Sequence, residues 1–247
     1  MTEHAMHQVD HPSNHAPGAE TPSPPGSAAL AGPTAGGPRW LVGLLAAVCA
    51  VALFAAGVAV AVLAGIGRPG VPAEDSVDVG FARDMQVHHV QATAMAGWVR
   101  DHSRDPLVRN LAYDIETQQF GEIGRFNGWL DSWGYLPGSD RAPMAWMAGS
   151  GRHAHVSADG LMPGMATSAE LATLKTLSGT ALDVDFLRLM IRHHQGGLAM
   201  AQYAAEHAGE DYVRTTAQKI ATAQQGEVVI MEQDLRERGG TPLPPPD

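Results

Sequence analysis

The chain has 247 residues, a formal net charge of −10 at pH 7 and no run rich in Lys or Arg. That balance argues against nucleic-acid binding and against a polybasic patch on a membrane surface. Cys49 is the single cysteine. The chain therefore has no internal disulfide, no zinc–thiolate site outside the apolar stretch and no thiol nucleophile there, which leaves Met and His as the soft and borderline metal ligands.

In chain order, residues 1–39 are rich in Pro, Gly, Ala and His and offer little to build a core from, the composition of a disordered tail. Its histidines, His4, His7, His11 and His15, are candidate ligands for Cu(II) or zinc. Residues 40–66 carry no charge. A helix of that length spans roughly 40 Å at about 1.5 Å per residue, enough to cross a bilayer. Its length and its distance from the start of the chain favour an uncleaved signal anchor, with Val71-Pro72-Ala73 as the cleavage alternative. Arg39 and Arg68 flank it symmetrically, so charge leaves its orientation open. Residues 67–75 read as a linker, 76–240 as the folded domain and 241–247 as a Pro-rich tail.

The domain repeats itself. A constant shift of 105 residues superposes Phe81 on Phe186, Met85 on Met190, His88 on His193, His89 on His194 and Met95 on Met200. The same shift carries Gln119 onto Gln224 and Glu122 onto Glu227. Each unit, 76–134 and 183–239, reads as a helical hairpin. Asp105-Pro106 supplies an N-cap followed by proline at the first helical position, and Gly134 and Gly239 mark C-termini. The predicted helices cover 76–102, 106–132, 183–207 and 210–238, with a shorter one at 169–177 opened by a capping box, Thr167-x-x-Glu170. No segment alternates with period two. The expected fold class is all-α: a ferritin-like four-helix bundle from two duplicated hairpins, preceded by one transmembrane helix. The connection, 136–168, is rich in Gly, Pro, Met and His and is expected to be a flexible loop with exposed methionines.

On a helical wheel, His88, His89, Met95 and His102 fall within roughly 100° of Met85, on the arc that also carries Phe81, Ala92, Ala96 and Val99. Gln119 and Glu122 share a stripe with Leu111, Ile115 and Phe126, and Gln224 and Glu227 repeat it. Taken singly, an inward Met is core filler, and an inward His or Glu is a hydrogen-bonded structural group. Doubled, the set is harder to dismiss, since burying so many polar groups unpaired costs several kcal/mol. The proposed metal ligands are Met85, His88, His89 and Met95 with Met190, His193, His194 and Met200. Gln119, Glu122, Gln224 and Glu227 are candidates for orienting the imidazoles. His102, His207, Met144, Met147, His153, His155, Met162 and Met165 are additional candidates. Thioethers select Cu(I) and imidazoles accept both copper states, so copper is favoured over zinc, with Cu(I) ahead of Cu(II). The absence of Glu-x-x-His argues against di-iron chemistry.

At these residues the chain resembles the ferritin-like domain-of-unknown-function 305 family, which includes the CopM-type copper-binding proteins. The match rests on Phe-x-x-x-Met-x-x-His-His-x5-Met in both halves, Gln-x-x-Glu on each following helix and the run Met162-Pro163-Gly164-Met165. The resemblance spans about 77–238. The first unit departs from the second at Gln86-Val87, where the second has Ile191-Arg192. The resemblance implies an extracytoplasmic helical bundle, anchored or secreted, in a family where some members bind copper.

The function expected from the sequence is copper sequestration, tolerance or handover by a single-pass membrane protein whose bundle lies outside the cytoplasm, with a copper donor or acceptor protein as partner. No nucleophile–base pair is visible and no enzyme activity is expected; a copper-dependent oxidase is the weaker enzymatic reading. The rival is an interaction module whose inward His/Glu network is purely structural.

Overall fold

The domain's helices begin where side chains can replace the missing backbone partners of a first turn. Ser76 Oγ accepts the Val79 N–H at 3.3 Å, and Asp105 accepts the Leu107 N–H at 2.9 Å with Pro106 behind it. In the computed structural model, which describes residues 38–66, 70–148 and 156–246, these caps open α2 (Val77–His102) and α3 (Pro106–Trp133). Gly134 ends α3 in the left-handed region, at φ 79°. The second hairpin comprises α5 (Thr180–His207) and α6 (Asp211–Glu237). Between the hairpins lie a short 3-10 turn, Ala145–Met147, and α4 (Ser168–Leu174), whose Thr167/Glu170 capping box forms as expected. Among the described residues there is no strand.

The apolar helix α1 (Arg39–Leu63) belongs to a separate unit and is long and apolar enough to cross a membrane. Residues 1–37 of the predicted disordered tail, with its four histidines, lie outside the described residues, as do His153 and His155, while Arg39 opens α1.

The two hairpins meet through α2 and α5. The first half of α2 (Phe81, Met85) shares one apolar cluster with the second half of α5 (Met200, Ala204), the end of α3 (Phe126, Leu130) and the start of α6 (Val213, Ile220). The second half of α2 (Met95, Val99) shares the other with the first half of α5 (Phe186, Met190), the start of α3 (Val108, Ile115) and the end of α6 (Met231, Leu235). That exchange of halves makes α2 and α5 antiparallel and relates the units by an approximate two-fold axis.

Two acidic side chains stitch one hairpin to the other. Asp78, on α2, accepts the Gly209 and Glu210 N–H groups that precede α6, both at 2.9 Å. Its repeat equivalent, Asp183, accepts the Ser103 hydroxyl at 2.6 Å, and Ser103 in turn accepts the Asp105 N–H that leads into α3. Each buried carboxylate thereby satisfies the start of a helix in the opposite unit.

The connection does not match the expectation of a flexible loop with exposed methionines. Met144, Met147 and Met162 are buried in the first apolar cluster, and Met165 packs half-buried against it. Trp146 lies against Gly80, where any Cβ would collide with the indole, and so covers the first turns of α2. Asp84 holds the segment by accepting the Met144 N–H at 2.7 Å and the Trp146 Nε1–H at 2.8 Å. Its carboxyl is pushed up from the usual range by burial, against the lowering effect of these two donors. Met144 takes φ 66° in this turn. The described stretches around residues 144–147 and 162–166 add a second layer of core, and Met144, Met147 and Met162 fill it.

Candidate metal centre

Between the two apolar clusters the domain carries a polar layer. His88 and His89 are consecutive, yet both are buried, because α2 meets α3 on one side and α5 on the other. His193 and His194 repeat this on α5, and no imidazole of the four is more than 1% exposed. His88 and His193 face each other across the pseudo-two-fold with ring centroids 3.9 Å apart, while His89 and His194 sit farther out, 6.5 and 6.4 Å from their neighbours in sequence.

Hydrogen bonds fix which nitrogen carries the proton. His89 Nε2 lies 2.7 Å from Glu122 and His194 Nε2 lies 2.7 Å from Glu227. A carboxylate accepts, so each imidazole donates from Nε2. His88 Nε2 lies 3.1 Å from the Pro163 carbonyl and donates to it for the same reason. In all three rings Nδ1 is buried, and none of these Nδ1 atoms has a hydrogen-bond partner among the described residues. Among the described residues neither ring nitrogen of His193 has a hydrogen-bond partner of good geometry. Burial, with His89 and then His194 nearby, pushes His88 down to about 3. Burial and the facing His88 hold His193 well below the usual imidazole value. These two imidazoles are therefore neutral at physiological pH, the form that ligates metals.

Gln119 and Gln224 are buried in the same layer, and among the described residues neither amide oxygen nor amide nitrogen has a partner. A Cβ on Gly197 would lie 2.7 Å from Gln224 Oε1 and 3.2 Å from His88 Cε1, so the missing side chain at Gly197 is what lets the amide of one unit approach the imidazole of the other. The expected orienting role thus divides: Glu122 and Glu227 hold imidazoles, whereas the glutamines hold nothing. Each unpaired buried amide costs about 1–3 kcal/mol, as does each unpaired ring nitrogen.

The thioethers are arranged differently from the sequence expectation. Met85 and Met95 of one motif do not converge, because they lie in opposite apolar clusters. Met85 instead shares a cluster with Met200, and Met95 with Met190. One methionine from each unit therefore flanks the imidazole layer on either side. A wheel gives the angle around a helix but not which neighbour a residue meets, so this crossing is a tertiary property.

His102 and His207 lie outside the layer. Both are exposed at the ends of α2 and α5, donate Nδ1–H to the carbonyls of Trp98 and Tyr203 at 2.7 and 2.9 Å, and stack on those rings. Their wheel angle is inward, but the last turn of each helix projects past the core. Conversely, Pro163, Gln91 and Arg192 touch or brace the layer and were not singled out from sequence. Met162-Pro163-Gly164-Met165 drew attention for its sulfurs, although it is the Pro163 carbonyl that reaches His88. Among the described residues no group of three or more His, Cys, Asp or Glu is disposed to hold a metal ion.

A family model described as a domain of unknown function (DUF305) matches residues 78–235. A putative secreted protein of that family from Streptomyces coelicolor, known by its crystal structure, is 42% identical with a TM-score of 0.63, covering 69% of this chain and 99% of that one. CopM, solved in a Cu(I)-bound form, is 24% identical with a TM-score of 0.51, covering 66% of this chain and 98% of that one, and shares the fold. The uncharacterized protein L153 of Acanthamoeba polyphaga mimivirus is 35% identical over 54 residues, 22% of this chain, and the match spans about a third (36%) of that protein's length.

Proposed function

The chain belongs to the DUF305 family, and from that premise we propose that its bundle binds copper outside the cytoplasm, carried on the apolar helix α1, for sequestration, tolerance or handover. The observation that carries the reading is the set of buried imidazoles whose Nε2 atoms are engaged by Glu122, Glu227 and the Pro163 carbonyl, while their Nδ1 atoms have no hydrogen-bond partner among the described residues. A carboxylate behind the far nitrogen of a histidine is the usual device for orienting a ligating imidazole and raising its basicity. Met85 with Met200, and Met95 with Met190, supply soft neutral donors on both sides of that layer, which favours Cu(I) over zinc. That CopM, a protein of the same fold, was solved with Cu(I) bound makes this the metal to test first.

In this reading the protein holds the ion and passes it to a partner without turnover. Thioether and imidazole ligands suit an oxidising compartment, where thiolates are lost to disulfides. The apolar helix and the likeness to a secreted family member support placement there.

The test is an anaerobic Cu(I) titration of the full-length protein in detergent, against a competing chromophoric chelator. The wild type is expected to outcompete the chelator and to melt at a higher temperature once loaded, by about 2.7 kcal/mol of stabilisation at a hundredfold excess over Kd. Binding no tighter than in a variant with His88, His89, His193 and His194 all changed to Ala, with melting unchanged by copper, would sink the copper reading and leave the layer as a structural network.

A further inference from the structure

Any ion that binds the imidazole layer meets an obstacle, since the four rings are sealed. Some part of the protein must move aside, and helices α2 and α5 form the centre of both apolar clusters. One irregular backbone segment touches an imidazole directly. It is the strap Met162–Ala166, whose Pro163 carbonyl accepts from His88 Nε2 at 3.1 Å.

The strap is seated by complementary departures from the internal repeat. Position 91 and its equivalent 196 differ, being Gln in the first unit and Gly in the second. Gln91 clamps the strap, donating from Nε2 to the Ala166 carbonyl at 2.9 Å and accepting the Ala166 N–H at 2.6 Å. Gly196 makes room for it, because a Cβ there would collide with the Pro163 carbonyl. Gly164, at φ 79°, lies against the Arg192 carbonyl in the same way. Position 87 and its equivalent 192 also differ, Val against Arg. Arg192 grips Glu170 through two bonds of 2.9 and 2.7 Å, next to the capping box that follows the strap. Outside the strap lies a cavity of about 460 Å³ bordered by Met162, Met165, Glu170 and Arg192.

We propose that the strap Met162–Ala166 is a removable cover over the imidazole layer and marks the entrance through which a metal ion reaches His88 and His193, passing the Met165 thioether in the outer cavity. The inference rests on the copper reading for the identity of the traveller, and on the strap's own contacts for the route. A local opening breaks the Gln91 clamp and the His88–Pro163 bond and leaves all helices intact, which is a small cooperative unit compared with parting α2 from α5. Opening also frees His88 Nε2, so that the ring most directly covered becomes the first one available.

The test measures accessibility and needs no copper. The full-length protein in detergent is treated with diethyl pyrocarbonate, and carbethoxylation is timed at each histidine by peptide mass mapping. In the wild type, exposed His102 and His207 react first and the four buried rings lag. Gln91→Ala removes both clamp bonds and is expected to speed reaction at His88 and His193 about tenfold, with His89 and His194 held back by their glutamates. Gly196→Ala, which unseats the strap from the other side, is expected to do the same. Unchanged rates at His88 and His193 in both variants would overturn the proposal. So would equal acceleration at all four buried rings, which signals general loosening, or acceleration at His88 in Glu122→Gln or Glu227→Gln alone, which places the entrance at the carboxylates. If the wild type binds no copper but the variants show the selective pattern, the cover stands and the copper reading fails.

Discussion

His88 and His193 are 105 positions apart in sequence and repeat one another, yet their rings lie 3.9 Å apart between centroids, tilted by 40°. On the proposed copper reading, an ion held by one ring at that separation would lie within the surroundings of the other, and the two units would share one centre. Changing either residue to Ala should weaken Cu(I) binding, and the double change should cost little more than the worse single one. Competition titration of the four proteins in a double-mutant cycle reads the coupling, expected at about 0.5–3 kcal/mol. Fully additive losses would mean two independent sites.

Glu122 and Glu227 each hold the outer imidazole of their unit at 2.7 Å. Glu122→Gln and Glu227→Gln keep an acceptor of similar shape but remove the charge. Each is expected to lower Cu(I) affinity about 10–100-fold. The two losses should be similar, because the geometry is repeated. The same titration checks this, with circular dichroism confirming unchanged helix content.

Acid should destabilise the metal-free protein. His88 sits near a folded-state value of about 3, and His193 is also well below the ordinary 6.5, both chiefly by burial. Between those limits the unfolded chain binds more protons than the folded one, so stability rises with pH. The contribution is therefore complete above about pH 6.5 and is lost as pH falls from there towards 3. Thermal melts from pH 7.5 to 4 should show a falling midpoint, with a shallower fall in His88→Asn. A flat profile would contradict neutral burial of these rings.

Gly80 and Gly128 separate packing from helix propensity. Trp146 occupies the place of a side chain at Gly80, so Gly80→Ala displaces the indole and is expected to cost about 1–3 kcal/mol. Gly128, on the exposed face of α3, has open space around it, and Gly128→Ala should stabilise by up to about 1 kcal/mol. Melting temperatures shift by about 2–4 °C per kcal/mol in a protein of this size.

The sequence exposed what repeats and concealed what breaks the repeat. The doubled His-His motif, the caps at Asp105 and Thr167 and the all-α class follow from periodicity and local chemistry, which need no knowledge of neighbours. Met144, Met147 and Met162 stand in a Gly- and Pro-rich stretch with no period, so nothing local signals that Trp146 and the strap press them into the core. Asp78 and Asp183 also repeat at the same shift, one residue inside their helix in the first unit and three in the second. Their partners are in the opposite hairpin, which only the tertiary fold supplies. Gln91 and Gly196 are the reverse case: their mismatch looks like drift until the strap is seen between them.

The crossing of Met85 with Met200 and of Met95 with Met190 has a bearing on ancestry. Neither hairpin alone carries a complete flank of the imidazole layer, since each flank borrows one thioether from either side of the two-fold. A lone hairpin would have assembled such a centre by pairing with a copy of itself, as isologous dimers do. Two copies joined in one chain are free to differ, as Gln91 and Gly196 do where the strap passes between them. A symmetric dimer covers both faces alike or neither. A fused pair can close one face and leave the other unaltered.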